Sequence, residues 1–307
     1  YRMFIRILSN NINLYTEMIT CDSFIHTDRK SYLVKAKENN LTIQLAGSDP
    51  KKYGYCAKLI EDNGYDEINL NIGCPSDKVV GGEFGACLMN SPKLVAECVS
   101  EIKESCDLPV SIKTRLGLGY EESLDLLNDL IDETSAAGCK KYFIHARNAI
   151  LNGLSPKKNR MIPKLRYQDA IIVKRRYSDI EFYLNGGLED ILEIQNNISF
   201  FDGVMIGRKI YDDPMFLRVI EREIFENKDI VTRDHIICEY LKYALPLSKK
   251  GVSNYMLLRH LFSLYYNTSS SKRWKKFLHD IIQHDKDILL INDFEESNYE
   301  EKISSYS

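Results

Sequence analysis

Seven short apolar segments, each closing on polar residues and followed by a helical pattern, limit what this chain can fold into more than anything else in it. They run from Tyr15 to Ile19, Thr42 to Ala46, Glu67 to Asn71, Val110 to Thr114, Tyr142 to Ala146, Glu181 to Asn185 and Gly203 to Gly207. Strands alternating with amphipathic helices, about 20 to 40 residues apart, are repeated βα units around a parallel sheet. Between two of them, Ser91-Pro92 supplies a cap and a first-turn proline, and Leu94, Val95, Cys98, Val99 and Ile102 form the apolar stripe of one helix. A (β/α)8 TIM barrel has eight such strands, so the first is expected to precede Tyr1. The barrel is assigned to residues 1–231. From Thr232 the strand pattern gives way to helical patterns over Ile236 to Leu247, Ser253 to Tyr266 and Ser271 to His284, a small all-helical domain over 232–285, with Ser271 placed to cap its last helix. An acidic, solvated tail, 286–307, completes the expected organisation.

Composition narrows the class. Hydrophobic residues make up 44% of 307, enough for a large core, and no run of eighteen apolar residues is present to span a bilayer. The eight cysteines show no CxxC spacing and no histidine at zinc-ligand intervals, which argues for reduced thiols, no metal and no disulfide scaffold. A cytoplasmic monomer is expected, with the possibility of an organelle-targeting segment before Tyr1 left open. Net charge is only −3, yet residues 232–285 hold nine Lys or Arg against four acids, a basic stretch suited to phosphate.

In a parallel barrel the chemistry sits where the strands end. The residues collected there are Glu17, Gln44, Asn71, Lys113, Arg115, His145, Arg147, Asn185 and Arg208. Asn185-Gly186-Gly187 and Gly207-Arg208 occupy the strand-seven and strand-eight slots and expose backbone N–H groups, the expected cradle for a phosphorylated cofactor. Lys113 and His145 suit the negative charge that develops on a reduced ring, and Gln44 suits its polar edge. Singly, each has a plainer reading as a solvated strand end or a hydrogen-bonded core histidine. Cys74 and Cys87, thirteen residues apart, lie in the loop after the Glu67 strand, and Gly85-Ala86 leaves the Cys87 thiol little cover. An ordinary thiol is mostly protonated near neutral pH, so Cys87 is suited to donating a proton. Ser155-Pro156-Lys157-Lys158-Asn159-Arg160 lies after the His145 strand, and Lys272-Arg273-Trp274-Lys275-Lys276 surrounds one tryptophan that serves better as a core anchor than as a base-stacking platform.

Leu14-Tyr15-Thr16-Glu17-Met18, Gln44 to Pro50, Gly64 to Asn71, Phe84 to Met89, Ile144-His145-Ala146-Arg147, Gly153 to Lys157 and Asp202 to Arg208 together resemble the tRNA-dihydrouridine synthases, in particular the A-type bacterial members, from Tyr1 to about His284. The resemblance implies an FMN-binding barrel that reduces a uridine of the tRNA D-loop, at position 20 or 20a, with NADPH or NADH recharging the flavin. It implies that Gln44, Lys113, His145, Asn185, Gly186, Gly187, Gly207 and Arg208 bind FMN, and that Cys87 protonates uracil C5 once hydride has reached C6. Asn71, Phe84, Arg147, Lys157, Arg259 and Arg273 are the residues expected to meet tRNA. Where the family continues His-Ala-Arg with Lys-Ala-Trp, this chain has Asn148-Ala149-Ile150. The competing readings are an FMN enzyme acting on a small pyrimidine and a non-enzymatic RNA-binding protein.

Overall fold

A computed structural model describes residues 1–26, 40–76 and 81–294. Contact density divides the chain into two units, Asn13–Met205 and a second made of Tyr1–Ile12 with Ile206–Ser307. The boundary expected at 231 falls inside the second.

The first unit is built on seven parallel strands in sequence order: β1 (Leu14–Thr20), β2 (Leu41–Ala46), β3 (Glu67–Ile72), β4 (Val110–Arg115), β5 (Lys141–His145), β6 (Glu181–Asn185) and β7 (Gly203–Met205). The last is shorter than the sequence pattern suggested. Side chains alternate between the two faces of a strand. On β3, Ile68, Leu70 and Ile72 are buried on one face, and Glu67, Asn69 and Asn71 are nearly as enclosed on the other. Strands buried on both faces belong to a parallel sheet covered by helices, the arrangement of the (β/α)8 class. The covering helices follow local rules. Asp49 accepts from the Lys51 and Lys52 amides at 3.0 and 3.3 Å and Pro50 opens the Pro50–Asp62 helix, which buries Tyr53, Cys56, Ala57 and Ile60 at helical spacing. The Pro92–Ser105 helix buries Val95, Cys98, Val99 and Ile102, but Ser91 at its N-cap makes no side-chain cap bond.

The second unit is helical. Its core centres on Trp274, fully buried, with Tyr265 and Phe294 rings each 4.9 Å away and the indole N–H donated to the Leu261 carbonyl at 2.7 Å. The anchor role expected of Trp274 is the one it has. The helix expected from Ser253 to Tyr266 stops at Leu258. Beyond Leu258 the chain turns by successive three-residue bonds, Leu261 N–H to Leu258 and Leu264 N–H to Leu261, which bury Leu258, Leu261, Leu264 and Tyr265. The Ser271–Gln283 helix is capped at position 270, one residue before the serine expected, and without a side-chain bond. Residues 1–12 belong to this unit. Glu221, buried, accepts from Ser9, from Asn11 at 3.0 Å and from Asn227 at 2.9 Å, and Arg218 donates to the Leu8 carbonyl at 2.8 Å. The part of the acidic tail from residue 295 onward lies outside the described residues. No described helix is long and apolar enough to cross a membrane.

Candidate active site

Parallel register brings the polar residues of β2, β3 and β4 side by side: Gln44 opposite Asn69, Asn69 opposite Ser111, Asn71 opposite Lys113. Their side chains then bond to one another. Asn71 Nδ2 donates to Gln44 Oε1, Gln44 Nε2 to Asn69 Oδ1 and Asn69 Nδ2 to Ser111 Oγ, each at 2.8 Å. Ser111 donates to Glu67 Oε1, whose second oxygen is 2.6 Å from Lys141 Nζ. At the other end Asn71 Oδ1 accepts from the backbone N–H groups of Gly73 and Cys74 at 3.2 and 3.0 Å. Asparagines are costly in a buried strand, and this is how β3 satisfies them.

The same loop carries Cys87. The Cys74 carbonyl accepts the Ala86 amide at 3.0 Å, which hangs the short Gly85–Asn90 helix from the end of β3. Gly85 enters it at φ +73°, a conformation that favours glycine. Cys87 is half-buried, its Sγ 3.0 Å from the Phe84 carbonyl, and burial is the main reason its thiol is pushed above the ordinary cysteine range. A proton is thereby held on the sulfur. Phe84 is half-exposed beside it. Cys74 is also half-buried, while five of the other cysteines are core residues and Cys238 is exposed.

Lys113 is half-buried on β4, two residues before its end, and its ammonium makes no hydrogen bond or ion pair among the described residues. Burial, with Arg115 adding to it, lowers its pKa from 10.5 to about 8. A cation in that position gains most from an anionic ligand. Across β5, His145 is 6% exposed and pairs in register with Arg115 and Asn185. Gly186 turns at φ +103° so close under the imidazole that a Cβ there meets the ring carbon Cδ2 at 2.3 Å. Gly187, at φ +74°, faces Leu165 and the Tyr167 hydroxyl as tightly. Asn185 bonds the Met205 carbonyl at 2.7 Å. An unpartnered, depressed lysine, a histidine ring and a glycine turn with no room for a side chain suit a ligand that carries both a planar ring and negative charge. These residues fit a flavin mononucleotide.

Not every strand-end expectation has this geometry. Glu17 is in the middle of β1, exposed, where the register with β2 slips between Tyr15 and Met18, so it is not a strand-end group. Arg115, 3% exposed, is not solvated: it donates to the carbonyls of Gly73, Asn148 and Asn159 at 3.1, 3.4 and 3.1 Å, clipping the β3 loop to the β5 loop. Asn148, where the family has lysine, is turned inward, donating to Gly119 and Glu121 and accepting from Arg166. Asn159, fully buried, bonds both backbone groups of Ile150, and this leaves Lys157 and Lys158 on the outside of the loop. Arg147 donates to the Met161 and Pro163 carbonyls. Gly207 and Arg208 are in the other unit, exposed, opening the five-residue Arg208–Asp212 helix. In that unit too, Arg259 is exposed and bonds His260 at 3.1 Å, and Arg273 is exposed with its guanidinium 4.9 Å from the Phe294 ring centre. The residues that sequence reasoning missed are Ser111, Glu67 and Lys141, because nothing local marks them as partners; Asn69 stood out as a costly strand asparagine without its partners being legible.

The family model described as Dihydrouridine synthase (Dus) matches residues 1–303. Among curated relatives, proteins named tRNA-dihydrouridine(20/20a) synthase match from Synechocystis sp. (40% identity over 91% of this chain and 84% of the relative), Shewanella oneidensis (40%, 91% and 83%) and Vibrio parahaemolyticus (40%, 90% and 86%). With a family match over nearly the whole length and relatives at this identity, the chain belongs to the dihydrouridine synthases, flavin-dependent enzymes that reduce uridine in tRNA to dihydrouridine.

Proposed function

We propose that this chain reduces uridine at position 20 or 20a of tRNA to 5,6-dihydrouridine, with NADPH as the source of reducing equivalents and Cys87 as the acid. The observation that carries the reading is the Cys87 thiol, half-buried, holding its proton, on a loop fixed to the end of β3. Reduced FMN, when bound, supplies the hydride for C6 of the uracil. Cys87 Sγ then gives its proton to C5, which completes the addition of two hydrogens across the double bond. Gln44, His145, Asn185, Gly186 and Gly187 hold the cofactor, and Lys113 offsets negative charge on it. Asn71 and Phe84 meet the uracil. Arg147 and Lys157 on the β5 loop, and Arg259 and Arg273 in the helical unit, meet tRNA phosphates. The protein acts as a monomer without metal.

The test uses the purified chain with FMN, NADPH and an unmodified tRNA transcript, followed by nuclease mapping and mass measurement. A gain of two hydrogens at position 20 or 20a is expected. Flavin that binds and is reduced, with every tRNA uridine unchanged, overturns the reading. Reduction of free uridine or uracil at the same rate moves the substrate to a small pyrimidine.

A further inference from the structure

The chain of side-chain bonds across β2, β3 and β4 runs in one direction, and both of its ends are fixed. At one end two backbone N–H groups point at Asn71 Oδ1, so this atom must be the oxygen of the amide. At the other end Glu67, ion-paired with Lys141, enters as a carboxylate, which only accepts. Ser111 therefore gives Glu67 its single hydrogen, and the Ser111 oxygen is left to accept from Asn69 Nδ2. That turns Asn69 Oδ1 toward Gln44, and Gln44 must present Nε2 to it. The Gln44 oxygen then faces Asn71 Nδ2. A reversed amide anywhere along the chain sets oxygen against oxygen or N–H against N–H, and at the fully buried Asn69 and Ser111 no water can repair it.

We propose that Glu67, acting through Ser111 and Asn69, is a positioning residue that fixes the amide orientation of Gln44 and Asn71, so that each offers an N–H, not a carbonyl, to the ligand above the strand ends. Each amide nitrogen carries two hydrogens and each spends one inside the chain. The remaining N–H of Gln44 and that of Asn71 make no other hydrogen bond among the described residues. They are therefore matched to acceptor atoms: a carbonyl oxygen or unprotonated nitrogen of the flavin ring, and a carbonyl of the uracil. This rests on the reading that Gln44 meets FMN, and adds which of its atoms does so and what holds it that way. The same chain, through Asn71 and the Cys74 amide, anchors the loop that carries Cys87.

The experiment measures FMN affinity and the shape of the bound flavin's visible absorption band, without turnover. The proteins are wild type, Gln44→Ala, Glu67→Gln, Ser111→Ala, Ser111→Thr and the Gln44→Ala/Ser111→Ala double variant. Removing the Gln44 amide weakens FMN about tenfold, and Ser111→Ala weakens it by about threefold to tenfold with a shifted band. Glu67→Gln, which can donate as well as accept, gives the same band shift. Ser111→Thr, which keeps the hydroxyl, restores the wild-type band, and the double variant binds no more weakly than Gln44→Ala. Wild-type affinity and band in Ser111→Ala and Glu67→Gln, with Gln44→Ala weakened, overturn the positioning role and leave the cofactor reading standing. Wild-type binding by Gln44→Ala overturns both. Should Ser111→Ala not fold, Ser111→Cys, of similar volume and a poor donor, reads the same two outcomes.

Discussion

Polar groups are handled in opposite ways across β2 to β4 and along the Ser271–Gln283 helix. On the strands, Gln44, Asn69, Asn71, Ser111 and Glu67 are bonded to one another inside the unit. On the helix, Lys272, Arg273, Lys275 and Lys276 all reach solvent, and the three lysines make no ion pair among the described residues. Enclosed, mutually bonded groups hold atoms to a fraction of an ångström, which a reacting centre needs. Bare cations hold no fixed geometry, yet attract phosphate over nanometre distances in a way that salt weakens. The first suits the chemistry proposed for it and the second the grip on tRNA proposed for the basic helix.

That contrast is open to being broken in steps of decreasing size. Cys87→Ala, which removes the proton from the fixed region and leaves the sheet intact, lowers dihydrouridine formation by about a hundredfold or more while FMN stays bound, measured by product mass and flavin absorption in one sample. Replacing Lys272, Arg273, Lys275 and Lys276 together with alanine raises KM for tRNA about tenfold or more, with kcat unchanged, and flattens the logarithmic salt dependence of binding by roughly 0.7 to 0.9 for each phosphate that is no longer neutralised. A fall in kcat without a change in KM contradicts the division of labour.

Lys113 is the exception that sharpens the comparison, a group of the fixed region left without a partner among the described residues. Its pKa is lowered to about 8, mainly by burial, so the side chain is charged below that pH and neutral above it. The affinity of the cofactor-free protein for FMN therefore falls several-fold as pH rises through about 8, and Lys113→Met flattens that profile. The folded pKa lies below the free value of 10.5, so the unfolded chain binds the proton more tightly, and Lys113 makes the cofactor-free fold more stable as pH rises from about 8 to 10.5. The smallest functional effect is expected at Trp274. Trp274→Phe destabilises the helical unit by about 1 to 3 kcal/mol in a denaturant titration through a partly vacated core, with flavin binding unchanged.

Much of this was legible in the sequence because it is written in local pattern. Alternating Ile68, Leu70 and Ile72 reveal β3, and the spacing of Val95, Cys98, Val99 and Ile102 reveals the helix after it. Cys87 stood apart from cysteines on apolar stripes, and the buried Trp274 is a core anchor as its helical position implied. What stayed hidden depends on pairing between distant segments. Asn69 and Ser111 are 42 residues apart, and only the β3–β4 register makes them partners. Glu17 read as a strand-end group because a bulge has no signature in the residues themselves. The helix from Ser253 gives way after Leu258 to three-residue turns, and the Leu261 carbonyl among them takes the indole N–H from thirteen residues downstream. Asn148 looked like a missing RNA-binding cation, and its three bonds to the β4 and β5 loops give it a structural use in this chain.

The most direct test of the whole account is the electron balance on tRNA. The protein is loaded with FMN, reduced under anaerobic conditions with one equivalent of NADPH, freed of excess reductant and mixed with unmodified tRNA. The account predicts that the yellow absorption of oxidised flavin returns with tRNA, in step with dihydrouridine formed, and does not return with free uridine. Flavin that stays bleached in the presence of tRNA, or is reoxidised equally by free uridine, contradicts it.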